Sequence, residues 1–224
     1  MDHVVKILEI KEAANLVKSF RIEKPAGYSF IPGQATDVAV NTIGLKNELR
    51  PFTFTCLTTD PFLEFTIKCY PDHHGVTNAI HHLKVGDELI IHDVWGAITY
   101  NGPGYFIAGG AGITPFLAIL RWLHKENKLA GNTLFFSNKT AIDIIYEKEL
   151  QDMMGKEAVF VLTKEEKEGY LKGPIDKFFL QHHVENIKQH FYICGPDKMV
   201  TDISGILGKM GASTDAVVFE KVNF

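Results

Sequence analysis

The sequence predicts two domains, an antiparallel β-barrel over residues 1–101 and an α/β domain with a parallel sheet over residues 102–224. Three observations predict this fold class. The first hundred residues consist of short β-type runs separated by Pro and Gly turns. After about Gly102, apolar strand-like runs alternate with helix-like runs, an order typical of a parallel sheet covered on both faces. Asn101-Gly102-Pro103-Gly104 lies between the two regions and has the composition of a linker.

Six strands are predicted in the first domain, because β-branched and aromatic residues cluster there between turn signals. They are Val4–Leu8, Leu16–Ile22, Thr36–Val40, Pro51–Leu57, Phe62–Tyr70 and Glu88–His92. His74-Gly75-Val76-Thr77-Asn78 predicts a glycine turn that leads into a helix, which the Thr77 hydroxyl could cap.

The second domain is predicted to alternate strands with helices. The strands are 105–108, 133–137, 158–162 and 190–194, and the helices are 115–126, 143–154, 174–182 and 197–210. The charged stretch 164–169 is predicted to be an exposed loop at the ligand-binding end of the sheet.

Composition excludes several classes of protein. With 46% hydrophobic and 22% charged residues and a net charge of −4, the chain is typical of a globular protein without affinity for nucleic acid. Three scattered cysteines predict neither disulfides nor a metal cluster, and paired histidines such as His81-His82 lack further ligands, so no metal is expected. A cytoplasmic location is predicted, since the first residues lack a secretory signal. The uncharged stretch 94–120 is too rich in Gly and Pro for a membrane span.

Two strand–turn–helix junctions are candidate anion sites. Gly109-Gly110-Ala111-Gly112-Ile113-Thr114-Pro115 separates an apolar strand from an apolar helix, and Cys194-Gly195-Pro196-Asp197 follows another strand. Glycines allow close approach of the backbone, and the first N–H groups of a helix attract anions. Pro115 suits the first helical position, although it replaces the last glycine of the G-x-G-x-x-G dinucleotide fingerprint.

With Arg50-Pro51-Phe52-Thr53 and the His74–Asn78 segment upstream, these motifs occur in the order found in the ferredoxin–NADP(H) reductase superfamily. The chain resembles that superfamily over essentially its whole length. The stretches 65–70, 96–100 and 136–144 look closest to NADH-dependent cytochrome reductases and to bacterial flavodoxin or ferredoxin reductases.

The resemblance implies that the barrel binds FAD. Arg50 would pair with the pyrophosphate, Phe52 would stack on the isoalloxazine, and Thr53 would hydrogen-bond near flavin N5 in a catalytic role. Pro51 would be a further FAD contact. The family usually has Tyr where Phe52 stands. The remaining FAD contacts implied by the resemblance are Thr66, Lys68, Tyr70, Gly75, Val76 and Thr77. For Lys68, an ordinary surface lysine remains an equal alternative.

The resemblance also implies that the α/β domain binds NAD(P)H. The diphosphate would lie on Gly110, Gly112, Thr114 and Pro115, and Ser137, Asn138 and Lys139 would approach the adenosine side. Cys194, Gly195 and Pro196 would lie by the nicotinamide, with Cys194 positioning it without covalent chemistry. Either Phe219 or Phe224 would cover the flavin, and Glu220 would supply an acid there.

The implied function is electron transfer from NAD(P)H through FAD to a separate redox protein, such as flavodoxin, ferredoxin or a cytochrome. A free-flavin or ferric reductase and an electron-transfer subunit of a larger complex are the alternatives. Ser137, Asn138 and Lys139 favour NADPH, whereas the likeness of residues 136–144 to NADH-dependent members favours NADH, so the nucleotide stays open.

Overall fold

A computed structural model describes residues 2–71, 75–96 and 98–219, with the side chain of Phe219 excepted. The chain divides into two compact units, one of residues 1–97 with 114–122 and the other of residues 98–113 with 123–224. The domain boundary predicted after residue 101 stays a prediction, because compactness alone does not define a binding domain.

The first unit contains a six-stranded antiparallel sheet. Its strands are β1 (His3–Ala14), β2 (Val17–Glu23), β3 (Gln34–Val40), β4 (Arg50–Thr53), β5 (Phe62–Lys68) and β6 (Glu88–Gly96). They lie in the order β4-β3-β6-β1-β2-β5. An antiparallel bridge between Phe54 and Phe65 joins the two edge strands, so the sheet closes on itself. The predicted barrel is confirmed.

Alternation of side chains fills the interior of this barrel. Phe20, Phe54, Phe65 and Ile67 are among its buried core residues. The strand β1 is longer than predicted, because register shifts after Ile7 and after Glu12 interrupt the two-residue period that marks a strand in the sequence.

Two helices accompany the barrel. The short helix α1 (Val76–His81) follows Gly75, and the helix α2 (Thr114–Lys125) contributes residues 114–122 to this unit. The side chains from Phe116 to Leu120 are all fully buried, so this part of α2 is enclosed on every side.

The second unit contains a six-stranded parallel sheet. Its strands are β7 (Gly104–Gly109), β8 (Thr133–Asn138), β9 (Ala158–Leu162), β10 (Leu171–Lys172), β11 (His190–Cys194) and β12 (Val217–Phe219), in the order β10-β9-β8-β7-β11-β12. The helices are α3 (Glu147–Met154), α4 (Lys177–His183) and α5 (Asp197–Met210). Tyr105, Phe135, Phe191, Ile193 and Leu207 lie in its core. The predicted α/β domain is confirmed, with two short strands, β10 and β12, that the sequence did not predict.

Within the ranges that the structure describes, no helix combines the length and the apolar composition that a membrane crossing requires.

Candidate functional site

The two predicted anion sites lie side by side in the second unit. The strands β7 and β11 are parallel neighbours, with Ala108 paired to Cys194. After Gly109 the chain forms a 3-10 turn over Gly110–Ile113 that continues directly into α2. The helix therefore begins at Thr114, and Pro115 lies in its first turn, where the missing N–H costs no intrahelical hydrogen bond.

The turn after β7 packs closely on the turn after β11, and this packing requires glycine at two positions. A Cβ atom on Gly112 would lie 2.2 Å from the carbonyl oxygen of Cys194, and one on Gly195 would lie 3.1 Å from the Cα of Gly109. Both positions therefore have a packing reason to be glycine that is independent of any ligand. Their contact with a nucleotide stays a prediction.

Gly110 differs from these two glycines. Its φ angle is +54°, in the left-handed region, and a Cβ atom there would meet no atom of the described part of the chain within 4 Å. The backbone conformation favours glycine at this position, and the space beside it is open. Gly110 is therefore the residue of this segment at which a phosphate could approach the main chain.

A buried amide marks the end of the neighbouring strand β8. The Asn138 side chain is 5% exposed, and among the residues that the structure describes neither its Nδ2 nor its Oδ1 atom has a hydrogen-bond partner. A buried amide normally makes hydrogen bonds, so this one is suited to a polar ligand at the carboxyl edge of the sheet. Ser137 is half-buried and Lys139 is exposed beside it.

The loops after β8 and β9 are tied together at this edge. The Thr163 N–H and hydroxyl donate to the Asn138 carbonyl at 2.9 and 3.2 Å, and the Ala141 N–H donates to Glu165 Oε2 at 2.7 Å. The stretch 164–169 is a largely exposed loop, as predicted, but Glu165 is half-buried and holds the loop to residue 141.

On the barrel, the four residues of β4 are the predicted flavin contacts Arg50 to Thr53. The Arg50 side chain is exposed, and its Nη1 donates to the Leu49 carbonyl at 2.7 Å, which leaves other guanidinium donors for a ligand. Phe52 is half-buried, packs on the barrel core and lies 6.2 Å from the ring of Phe65. Pro51 pairs with Asp37 in the sheet.

Thr53 points away from that core and toward α2. Its hydroxyl donates to the Thr114 hydroxyl at 2.9 Å, and its side chain is buried. The single hydroxyl hydrogen is thereby used, and the oxygen keeps lone pairs that can accept a further hydrogen bond. Two residues predicted to contact different cofactors are thus hydrogen-bonded to each other.

A row of buried polar groups continues beyond Thr53, and we call it the polar seam: Thr53, Thr55, Glu64 and Thr66 from the barrel with Thr114 and Arg121 from α2. The Thr55 hydroxyl bonds to Glu64 Oε1 at 3.0 Å and to Thr66 Oγ1 at 3.1 Å. Arg121 Nη1 donates to Glu64 Oε1 at 3.0 Å and to the Thr55 carbonyl. The sequence motifs predict a cofactor contact for Thr66 and none for Thr55, Glu64 or Arg121.

A signal for the missed residues exists in the sequence. Glu64 is a lone acid in the apolar run Phe62–Ile67, and Arg121 is the first charged residue after a long uncharged stretch. An isolated charge in an apolar segment indicates that the charge has a buried partner, because an unpaired buried charge is very costly, but it does not indicate which residue that partner is.

Lys68, the last residue of β5, is half-buried. Tyr70 is 48% exposed, and the burial of the rest of its side chain raises the pKa of its phenol. The predicted cap at Thr77 is wrong. The helix α1 begins at Val76 after the extended residue Gly75, and no side chain caps it, because Thr77 already lies inside the first turn.

Several predicted residues lie outside the described structure. Glu220, Phe224, His73 and His74 are among them. Phe219 ends β12 opposite Ile193, but its side chain is not described. In the described ranges, no three His, Cys, Asp or Glu side chains come together as metal ligands would.

Comparison with known proteins agrees with this architecture. Residues 106–205 match the oxidoreductase NAD-binding domain. The chain is 25% identical over 232 residues to the reductase component of propane 2-monooxygenase from Mycolicibacterium goodii, covering 96% of this chain and 66% of that protein. It is 29% identical over 226 residues to NADH-cytochrome b5 reductase 2 from Mycosarcoma maydis, covering 91% and 64%.

The chain thus spans slightly less than two thirds of the length of these relatives. Among solved structures, the fold is similar to that of a ferredoxin NADP+ reductase from Neisseria gonorrhoeae with bound FAD and NADP, with a TM-score of 0.85, 20% identity and 98% of each chain covered. At that identity the likeness concerns the fold alone. The resemblance predicted from the motifs is confirmed: the chain has the two-domain fold of a ferredoxin NADP+ reductase, and the two sequence relatives are named as a reductase component and a cytochrome b5 reductase.

Proposed function

We propose that this protein is an FAD-dependent NAD(P)H oxidoreductase that passes electrons to a separate redox protein. The observation that carries the proposal is the pair of glycine junctions after β7 and β11, where Gly110 offers an open, left-handed backbone position beside Cys194 and Gly195. The matching NAD-binding domain and the relatives named as reductases support it.

The donor set on the barrel fits a flavin dinucleotide. The exposed guanidinium of Arg50 suits pyrophosphate oxygens, and Lys68 adds a second cation. Phe52 offers part of an aromatic ring for stacking. Gly75 directly precedes α1, and Val76 and Thr77 lie in the first turn of that helix. Tyr70 and Pro51 complete the proposed barrel contacts.

The residues of the second unit fit the other nucleotide. The unpartnered Asn138 amide would hydrogen-bond the adenosine side, flanked by Ser137 and Lys139. Gly110, Gly112, Thr114 and Pro115 would hold the diphosphate, and Cys194, Gly195 and Pro196 would position the nicotinamide. Phe219 or Phe224 would cover the flavin, with Glu220 as an acid nearby.

When bound, the two cofactors supply hydride transfer and release of single electrons. The chain supplies orientation and exclusion of water. The Thr53 oxygen would lie near flavin N5, held in place by the hydrogen bond that the Thr53 hydroxyl donates to Thr114. The buried Cys194 would act by shape and not as a nucleophile.

The decisive experiment is to purify the protein, record its visible spectrum, and mix it anaerobically with NADH and with NADPH in separate stopped-flow runs. Bleaching of a flavin band by either nucleotide supports the proposal, and the ratio of the two rates gives the nucleotide preference. A colourless protein that cannot be reconstituted with FAD would overturn it.

The acceptor is proposed to be a protein, since the relatives are named as a reductase component and as a cytochrome b5 reductase. Flavodoxin, ferredoxin and cytochromes are the classes to test. The alternatives are a free-flavin or ferric reductase, which predicts faster turnover with riboflavin than with any redox protein, and an electron-transfer subunit, which predicts little diaphorase activity from the isolated chain.

A further inference from the structure

The ion pair between Glu64 and Arg121 lies in the polar seam, and its energetic setting is unusual. The Glu64 side chain is 7% exposed and that of Arg121 is 16% exposed, so both charges are largely removed from water. Burying two charges is costly, and apolar residues of similar volume often stabilise a fold as well. A buried pair of this kind can instead specify one arrangement of the elements that it joins.

Both members of the pair make several hydrogen bonds. Glu64 Oε1 accepts from Arg121 and from the Thr55 hydroxyl, each at 3.0 Å, and Oε2 accepts from Arg21 Nε at 3.0 Å. Arg121 also donates to the Thr55 carbonyl. One guanidinium on α2 thus bonds to both β5 and Thr55, which lies two residues after the end of β4.

The helix α2 has few other directional contacts along this face. In the first eight residues of the helix, 114–121, only Thr114 and Arg121 have polar side chains, and the side chains between them are apolar and buried. Apolar burial is non-directional, so it holds a helix in place without fixing its rotation or its axial position. Hydrogen bonds with defined geometry are needed for that.

Thr114 and Arg121 are seven residues apart, so they lie on the same face of the helix, two turns from each other. Thr114 bonds to Thr53 and Arg121 bonds to Glu64 and Thr55, which are all on the same side of the barrel wall. The two contacts hold α2 at two points, and its first residue directly follows the glycine turn Gly110–Ile113.

We propose that the Glu64–Arg121 pair is a positioning device for electron transfer: it fixes the rotation and axial position of α2, and so holds Thr114 against Thr53. Arg121 and Glu64 are positioning residues, which act through Thr53 and Thr114 and touch no cofactor. This inference rests on the proposed function. Because displacements of about 1 Å can slow an enzyme by about 100-fold, loosening the helix should reduce the rate of flavin reduction far more than it reduces binding.

The test compares Arg121→Met with Arg21→Gln. Arg21 is a matched control, because it bonds to the same carboxylate from β2, at Oε2, whereas Arg121 bonds at Oε1 from α2. We expect Arg121→Met to keep its FAD content and its nucleotide Kd within about 3-fold, while the limiting rate of flavin reduction falls by about 10-fold or more. Arg21→Gln should keep that rate within about 2-fold.

A second readout does not depend on activity. Hydrogen exchange of peptides covering residues 110–122, measured on the FAD-free protein, should accelerate in Arg121→Met and stay unchanged in Arg21→Gln. If Arg121→Met does not fold, Arg121→Lys carries the test, because a single ammonium replaces the fork that reaches Glu64 and Thr55 together.

The outcomes separate the two proposals. If the unmodified protein is not reduced by NADH or NADPH, the proposed function fails, whereas the exchange measurement still reports on the positioning of α2. If the unmodified protein is reduced and the Arg121 variants match it in both rate and exchange, the positioning role is wrong. Equal losses in the Arg121 and Arg21 variants would also overturn it.

Discussion

At the scale of single residues, the glycines of the second unit have separable roles. Gly112 and Gly195 lie where one turn packs on another, whereas Gly110 requires a left-handed backbone and has open space beside it. The sequence shows three similar glycines, and only the distances from an added Cβ atom to its neighbours distinguish packing from ligand approach.

Gly112→Ala should destabilise the protein. Its Cβ would lie 2.2 Å from the Cys194 carbonyl oxygen, which is backbone and cannot rotate away, so we expect the free energy of unfolding to fall by about 2–3 kcal/mol. Gly205→Ala is the control, because this exposed glycine lies inside α5 with nothing near its Cβ position, and there alanine should add about 0.5–1 kcal/mol. Urea unfolding of both variants measures the difference. Equal stabilities would contradict the close packing of the two turns.

Thr53→Ala should slow flavin reduction by about 10-fold or more while nucleotide binding changes little, because it removes an oxygen proposed to lie near flavin N5 and the partner of Thr114. Thr53→Ser keeps the hydroxyl and should restore most of the rate. Anaerobic stopped flow against nucleotide concentration separates the limiting rate from Kd. An unchanged limiting rate in Thr53→Ala would remove this residue from the reaction.

Among the helices and strands, the predicted boundaries agree with the structure where an apolar pattern marks the element, and they differ where local hydrogen bonds form a turn. The predicted strands 158–162 and 190–194 and the helix 197–210 agree with β9, β11 and α5, because each has an uninterrupted apolar pattern. The predicted helix 143–154 begins only at Glu147. Asp143 closes a capping box with Thr140 around a 3-10 turn that ends at Asp143. Tyr146, the residue before α3, has a left-handed φ angle of 52°, so the helix does not extend back beyond Glu147.

The polar seam was beyond sequence-based prediction for a different reason. The residues of Arg50-Pro51-Phe52-Thr53 are adjacent in the chain and form a recognisable motif, whereas Glu64 and Arg121 are 57 residues apart and meet only in the folded chain. A periodic pattern identifies the buried side of each segment, but it does not indicate which charges from two segments pair.

The helix α1 should make stability depend on pH through His81. Burial lowers the pKa of His81 from its usual 6.5, and its ring packs on Phe20. The ring also hydrogen-bonds to the Ile67 carbonyl at 2.8 Å. Lys18 and His82 add to the lowering, and the Ile67 hydrogen bond and Glu12 oppose it. Just below pH 6.5, His81 is protonated in the unfolded chain but still neutral in the folded chain. The free energy of unfolding should therefore fall as the pH falls through that range.

The measurement is the melting temperature at several values between about pH 7.5 and pH 5, for the unmodified protein and for His81→Gln. The glutamine amide can still donate to the Ile67 carbonyl but does not titrate, so the acid side of the curve should flatten. His182→Gln is a suitable control, because that side chain is exposed on α4. A curve for His81→Gln that parallels the unmodified protein would contradict the assignment.

At the scale of the whole molecule, the two compact units are not consecutive segments. The barrel unit takes residues 114–122 from the middle of the chain, and the α/β unit consists of the residues on either side of them. The sequence predicts a simple boundary after residue 101, because composition changes there. The helix α2 was assigned with its neighbours in sequence, since an apolar helix between two strands gives no indication of which core it joins.

This arrangement predicts the behaviour of a fragment. A protein of residues 1–101 contains all six barrel strands but lacks α2, so Glu64 would lose the Arg121 guanidinium and the outer side of Thr53 and Thr55 would lose the segment bonded to it. The helix segment is fully buried from Phe116 to Leu120, and the surface that it covers in this unit would become exposed to water. We therefore expect the fragment to bind the dye ANS and to unfold without a sharp transition, whereas the full chain melts cooperatively.

A synthetic peptide of residues 112–125 added in trans should partly restore the transition, and the same peptide with Arg121→Met should restore less. A fragment that melts as sharply as the full chain without the peptide would show that α2 is dispensable for the barrel.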